Sequence, residues 1–480
     1  MTFFYIYNKD TDQFESTKQK VQELSYIARG YYGAVRSVKL DHDDKILVRK
    51  EQKLNNGYLN VGHLIEMDIL ARLGNDEDIL KLLAVEINQN EYNLYFNYIN
   101  GTLTSWYKRK NISDRLDKFE LVLQNIIRTI AQLHNNGIYH QDIKPSNMLV
   151  HADNMDINNI YIIDFGLSRI SFDSLKKKKS IYYTYLYRPP ELYFSKNKYC
   201  TPSSDTWAIA MCMLEYITGV LPFRGVSEDN IKNEMLSYVD RQNREWWSVR
   251  VDLQEDSGDY MFNPRLYFKD YLTADEYNKV EQQWPKLKIL ELMLSMNPKD
   301  RPAPMMLAKF LGLTINNIPE LPWNIKSDTD MSFRLSNFII ILNKFYFIQD
   351  NNFLSYLMAI ELMVRYNYNV SRSTEFHQMV FIRLALSFFN NKNIYYFELK
   401  DKLTSDFFTI RNQLDQYYID LEHMVLAQLQ FKIYNPLLLP AFVRLYNKLD
   451  RDANNCIKRL KCIDGSYYLR DIRYWFYKDI

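Results

Sequence analysis

Cysteine is scarce: Cys200, Cys212, Cys456 and Cys462 are the only four in 480 residues. None forms a CxxC pair, and the set suits a reducing compartment. An excess of either charge sign is also missing. The formal net charge is +2, so no strong global attraction to nucleic acid or to a membrane surface is expected. The longest aliphatic stretch, Phe338–Leu342, is far below the roughly 18 residues that span a bilayer. Asn8, Asp10 and Asp12 interrupt the short apolar start, so no signal peptide is expected there. Together these absences point to a soluble protein of the cytoplasm or nucleus. Glycine and proline number only 13 and 14, while Lys, Asn, Ile and Tyr abound, which fits a nucleotide bias of the source genome better than a physical demand.

What is present is an ordinary globular share of hydrophobic residues, 47%, in a chain long enough for two or three domains. Residues from about 20 to 97 mix short strands with one helix. Gly30 and Gly33 break the run Tyr26–Leu40, while Lys45–Lys50 and Tyr92–Ile99 suit strands. Leu64, Ile65, Ile69, Leu70 and Leu73 recur at helical spacing over 62–73. From there to about 315 the pattern is mainly helical, with helices expected over Phe119–Asn135, Asp205–Ile217 and Leu287–Met296. Between them lies a loop-rich centre from His140 to Glu191. Pro319, Pro322 and the cluster Asp328–Asp330 mark a linker over 316–330. Beyond it the chain reads as a helical bundle.

The chemistry concentrates in the central loop. His140-Gln141-Asp142-Ile143-Lys144-Pro145-Ser146-Asn147 offers a carboxylate to deprotonate an attacking hydroxyl (Asp142), a cation two residues on (Lys144) and an amide oxygen for magnesium (Asn147). Asp164-Phe165-Gly166 follows the apolar run Ile160–Ile163 and supplies a second magnesium ligand, Asp164, before a sharp turn. Either motif alone is weak; their order and spacing together are specific. Upstream, Ala28-Arg29-Gly30-Tyr31-Tyr32-Gly33-Ala34-Val35 forms a loop whose glycines admit phosphates to the backbone. Lys50 ends the strand Ile46–Arg49, and Glu66 sits on the following helix as its expected ion-pair partner. For Glu66 taken singly, a solvated helix face is an equally good reading.

These residues resemble the eukaryotic protein kinase family over about 20–315. The loop resembles the glycine-rich loop with Ala28 in place of the first glycine. Pro189-Pro190-Glu191 resembles the Ala-Pro-Glu element, with Arg301 as its buried partner, and Asp205-Thr206-Trp207 resembles the start of the helix that braces the catalytic loop. The resemblance implies an α+β, bilobal fold, a β-rich small lobe (1–97) and a helical large lobe (98–315). It implies ATP and Mg2+ as cofactors. Ala28, Gly30, Gly33, Val35, Val48, Lys50, Glu66, Phe96, Tyr98 and Asp164 then line the nucleotide site, with Phe96 as gatekeeper before the hinge. Lys144 and Thr184 are similar to serine/threonine rather than tyrosine kinases, and Thr184-Tyr185-Leu186-Tyr187-Arg188-Pro189-Pro190-Glu191 resembles the cyclin-dependent group. Protein substrates, with proline after the target residue, are what that group implies.

Two departures bear on regulation. Gln141 replaces the arginine that binds an activation-loop phosphate in the family, and Lys176–Lys179 stand where an activating threonine is expected. A cationic segment of this kind suggests independence from phosphorylation, against the plainer reading of a solvated lysine run. Tyr32 stands where the group carries an inhibitory tyrosine, but an aromatic loop tip is the simpler reading.

After the linker, helices are expected over Phe333–Leu342, Phe353–Tyr366, Met379–Phe389, Phe407–Leu414 and Tyr417–Gln430. The last, running from Asp420-Leu421-Glu422-His423-Met424 to Phe431 and Ile433 before Pro436 and Phe442, resembles the fifth helix of a cyclin box. Met331, Arg334 and Met358-Ala359 are similarly spaced. The resemblance implies an all-α cyclin-like domain over 331–480 that meets the Glu66 helix through Glu422, although the cyclin lysine that partners it falls near Phe388 here, so half of that contact is missing. A tether of about 15 residues would place it at roughly millimolar effective concentration. The competing expectations are a silent kinase-fold scaffold, and helices that recruit a substrate or another partner.

Overall fold

The structure is a computed structural model that describes residues 2–29, 33–41, 44–54, 57–74, 79–88, 90–151, 157, 159–170, 183–195, 200–239, 261–316, 358–359, 362, 377, 380–385 and 414–433. Two compact units emerge, one holding 1–75, 81–98 and 319–480, the other 76–80 and 99–318.

The first unit is built on a seven-stranded antiparallel sheet. In chain order its strands are β1 (Phe3–Asn8), β2 (Gln13–Ser16), β3 (Val21–Arg29), β4 (Ala34–Leu40), β5 (Leu47–Lys53), β6 (Leu82–Ile87) and β7 (Glu91–Asn97). Their spatial order is β2-β1-β6-β7-β5-β4-β3. Alternation places Phe4, Val38, Leu47, Ala84 and Tyr95 in one buried cluster. Helix α1 (Val61–Leu73) begins where Asn60 accepts from the His63 amide at 2.9 Å, a cap that satisfies one of the free amides of the first turn. Its helical periodicity matches the sequence expectation.

The strands expected over Lys45–Lys50 and Tyr92–Ile99 occur as β5 and β7, shifted by a few residues. The hairpin β1–β2 was not anticipated. Its signal was present: Phe3-Phe4-Tyr5-Ile6-Tyr7 is β-prone, and Asn8–Gln13 is rich in turn residues. The hairpin joins the sheet edge because β1 pairs with β6, Phe3 opposite Ile87 through Ile6 opposite Ala84.

The second unit is mainly helical. Helix α2 (Phe119–Asn135) has the bounds its periodicity implied, and α3 (Pro202–Thr218) encloses the expected Asp205–Ile217. Pro202 in the first turn and Gly219, left-handed at φ 78°, delimit α3. All but its first residue is buried, which explains its hydrophobicity on every face. The helix expected over Leu287–Met296 is instead two short helices, Trp284–Leu287 and Ile289–Met293. The second stops because Ser295 bridges Met261 and the Leu294 carbonyl accepts from the Phe262 amide at 3.2 Å.

In the 319–480 part, Met358, Ala359, Leu362, His377 and 380–385 are helical, and helix α4 (Leu414–Gln428) begins three residues before the expected Tyr417. It gives way to a turn before Gln430, the expected end. The helices expected over Phe333–Leu342 and, but for Leu414, Phe407–Leu414 lie outside the described residues. So do Gly30, Tyr31, Tyr32, the Lys176–Lys179 run, Met331, Arg334, Phe388, Pro436, Phe442, Cys456, Cys462 and, except for Asn316, the 316–330 segment.

Candidate active site

In the first unit, β5 carries Lys50 inward and α1 carries Glu66. The two form an ion pair with Nζ to Oε1 at 2.6 Å. Glu66 is only 2% exposed, which removes the reading of it as a solvated helix carboxylate. Its other oxygen accepts from Gln52 Nε2 at 2.8 Å. Gln52 was missed in sequence; its position two residues after Lys50 on one strand puts both side chains on the same face. Val35 stands opposite Lys50, and Val48 opposite Phe96, in the sheet register. Phe96 is buried, whereas Tyr98 and Ala28 are exposed. At Gly33 a Cβ would lie 1.9 Å from the Glu51 carbonyl oxygen, so the backbones approach too closely for any side chain.

Two buried histidines frame this helix region. His63 is pushed down to about 3 by burial and then by the Lys50 charge. His423 on α4 is also pushed down to about 3, by burial and then Arg383. Their folded values lie below the ordinary 6.5, so folding releases protons and both contribute stability fully above pH 6.5. That contribution falls as pH drops from 6.5 toward 3, by about 1.4 kcal/mol per pH unit for each histidine. Denaturant unfolding should therefore show a clear loss of stability between pH 7 and pH 5. A midpoint unchanged across that window would refute the burial of neutral imidazoles.

In the second unit, strands β8 (Gly101–Thr102), β10 (Met148–Val150) and β11 (Tyr161–Ile162) form a small sheet, and β9 (Ile138–Tyr139) pairs with β12 (Arg169–Ile170). The β10–β11 register sets Met148 against Ile162, and Ile163 donates its amide to the Asn147 carbonyl at 3.0 Å. Asn147 and Asp164 thus flank the same pair of strands. Asp142 accepts from three side chains: Lys144 Nζ at 2.6 Å, Asn147 Nδ2 at 3.0 Å and Thr184 Oγ1 at 2.5 Å. Asp164 adopts a left-handed conformation at φ 69° and Gln141 one at φ 63°, uncommon for residues with a Cβ.

Asp205 at the start of α3 holds this loop. It is fully buried and accepts from the amides of His140 (3.0 Å) and Gln141 (3.2 Å), and lies 2.9 Å from His134 Nε2. The Tyr183 hydroxyl adds a fourth contact at 2.7 Å. Burial alone would raise its carboxyl, but bonds from His134 and Tyr183 hold it below its ordinary value. Tyr183 carries no signal in the sequence, since nothing there reveals a phenol aimed at a residue 22 positions away. Glu191 and Arg301 pair at 3.0 Å, both essentially without exposure.

Glu422 is buried, and its contact, missing a cation at Phe388 in the sequence, is completed by Arg383. Arg383 pairs with both Glu422 oxygens and donates to the Leu59 carbonyl at 3.0 Å, just before α1. The cation absent at Phe388 is thus supplied five positions earlier in the sequence. The sequence hid this because Arg383 sits in the apolar run Val380–Ala385.

Among the described residues no cluster of three or more His, Cys, Asp or Glu forms a metal cage, and no helix is long and apolar enough to cross a membrane. The oxygen donors Asn147 and Asp164 instead fit Mg2+, which takes one or two protein ligands together with substrate phosphates.

Residues 21–310 match the protein kinase domain family. The probable cyclin-dependent kinase 8 of Dictyostelium discoideum is 33% identical over 230 residues, 46% of this chain and 60% of that protein. Mitogen-activated protein kinase 7 of Oryza sativa subsp. japonica is 25% identical over 301 residues, 60% of this chain and 50% of that protein. Cyclin-dependent kinase 1 of Encephalitozoon cuniculi is 28% identical over 234 residues, 48% of this chain and 77% of that protein. The chain thus spans only part of the first two of these relatives. Since the family match covers more than half of its 480 residues, the chain belongs to the protein kinase family, with cyclin-dependent and mitogen-activated kinases among its relatives.

Proposed function

We propose that this chain is an ATP- and Mg2+-dependent serine/threonine protein kinase with a cyclin-like activator built into its own C-terminal segment. The observation that carries the activity is the set of three donors on Asp142. They orient its carboxylate to take the proton of a substrate hydroxyl. Lys144 sits beside it to offset charge on the phosphoryl group. Asn147 turns its amide nitrogen to Asp142, so its oxygen is the end offered to the metal, and Asp164 is the second ligand. Bound Mg2+ would neutralise charge on the ATP phosphates. Lys50, steadied by Glu66, holds the phosphates themselves.

The activator reading is supported by Arg383, which links Glu422 to the residue preceding Asn60, the cap of α1. Holding the start of α1 holds Glu66 toward Lys50. Independence from activation-segment phosphorylation is supported by Gln141 and by the Tyr183–Asp205 bond, which ties the segment to the catalytic loop without a phosphate. A preference for proline after the target is supported by Arg188, whose Nη2 already engages the Tyr183 carbonyl at 3.1 Å. With one lone pair already engaged, that carbonyl is a poorer acceptor for a substrate amide, a loss that proline, which has no N–H, does not incur.

One assay tests the reading: γ-phosphate transfer by full-length protein against a chain ending at Pro322, with Asp164→Asn as the blank. Each is run before and after phosphatase treatment, on peptides with and without proline after the target. The full chain should be active, indifferent to phosphatase and selective for proline, and the truncated chain should retain a small fraction of the rate. Equal rates for a folded truncated chain would remove the activator. A full chain no faster than the blank would remove kinase activity by this chain alone.

A further inference from the structure

The family match runs from residue 21 to 310, so the β1–β2 hairpin lies before it and α4 after it. These two additions meet. The turn that ends α4 places Gln430 at φ 54° and Phe431 at φ 59°, two successive left-handed residues that both carry side chains. Such backbone is costly, by about 1 kcal/mol or more per residue, and persists where surrounding contacts enforce it.

The contacts are specific. The Gln430 amide acts on Phe14 as a neighbouring strand would: its oxygen accepts from the Phe14 amide and its nitrogen donates to the Phe14 carbonyl at 3.3 Å. The Phe431 ring, fully buried, meets Phe14 and Tyr5 edge-on at centroid distances of 5.1 and 5.6 Å. Phe3 packs against His423 one turn and more earlier on the same helix. Two residues beyond Phe431, the Ile433 amide donates to Asp68 Oδ1 at 2.7 Å, and Asp68 Oδ2 binds Arg72 of the same helix α1. One short turn therefore joins the hairpin to α1.

We propose that the β1–β2 hairpin is a clasp for helix α4 of the same chain, whose following turn 430–433 it seats against Asp68 of α1. The occupant of this surface is the chain's own segment 419–433. Its hold on α1 bears on catalysis only if the cis-activation reading stands; the clasp itself does not depend on that reading.

The test uses the full chain with a protease site placed between 317 and 330, cleaved after folding and passed over a sizing column. The unchanged sequence should elute as one complex. Phe431→Ala, and separately a chain lacking residues 2–17, should yield two separated pieces, with association weakened at least tenfold. Nucleotide-dependent thermal shift verifies that the kinase piece remains folded. If removal of residues 2–17 unfolds that piece, Phe431→Ala decides, since it alters no kinase residue. Co-elution in both variants, or separation of the unchanged sequence, would overturn the clasp. If Phe431→Ala separates the pieces yet the uncleaved variant keeps its full phosphoryl-transfer rate, the clasp stands and cis-activation fails.

Discussion

Asp142→Asn is expected to lower the rate of phosphoryl transfer by two to four orders of magnitude, the usual contribution of a positioned base, while leaving the fold intact. Asparagine has the same shape, and its oxygen replaces Oδ2, where Lys144 and Asn147 both donate. Its NH2 then replaces Oδ1, where the Thr184 hydroxyl can rotate from donor to acceptor. The hydrogen-bonded set is thus retained and only the basicity is lost. The Lys144 ion pair is partly exposed, so its loss should alter stability by no more than about 1 kcal/mol. Single-turnover transfer at saturating ATP separates this from an effect on binding, because Lys50, Glu66 and Asp164 are untouched. A variant within tenfold of the parent rate would show that Asp142 is not the base.

Arg383→Ala should be among the most destabilising single changes in the chain. Both Arg383 and Glu422 are nearly inaccessible, at 1% and 2%. Removing the guanidinium leaves the Glu422 charge buried without its counter-ion, at a cost of about 3–5 kcal/mol. The bond to the Leu59 carbonyl and the packing over the Tyr58 ring at 5.1 Å are lost as well. The double replacement Arg383→Met with Glu422→Leu is the informative partner. It removes both charges, so stability should return to near that of the parent, but the tie to Leu59 does not return. Activity that stays low in the stable double variant would assign the tie a positioning role. Hydrogen exchange at the α1 amides should then be faster in the double variant than in the parent. Recovery of both stability and activity would reduce the pair to a structural contact.

Much of the kinase portion was legible because its signals are local. The Asp142–Asn147 loop and the Asp164 turn are short motifs whose chemistry is carried by neighbouring residues. The α1, α2 and α3 periodicities follow from which face is buried, and α3 reads as apolar all round because it is buried all round. The pairing of Glu191 with Arg301, 110 positions apart, was legible only through family resemblance.

The C-terminal contacts were less readable. Glu422 stands out in the sequence with half of its contact missing, because Phe388 falls where the cyclin lysine would be; the cation it pairs with is Arg383, and helix spacing does not reveal which turn faces a buried charge. Gln430 and Phe431 look like an ordinary polar and apolar pair in sequence; their left-handed backbone and their contacts with Phe14 arise from a strand more than 400 residues away. Tyr183 gains its meaning from Asp205 in the same manner.

By itself, then, the sequence determined the residue types of the candidate site, their order, and most of the helices and strands that carry them, because backbone propensity and motif patterns act over a few residues. The tertiary structure decided which distant side chains share a buried charge or a hydrogen bond: Gln52 with Glu66, Tyr183 with Asp205, Arg383 with Glu422, Gln430 with Phe14. Burial makes those partnerships obligatory, since a buried polar group without a partner costs about 1–3 kcal/mol, but the choice of partner depends on how the elements pack.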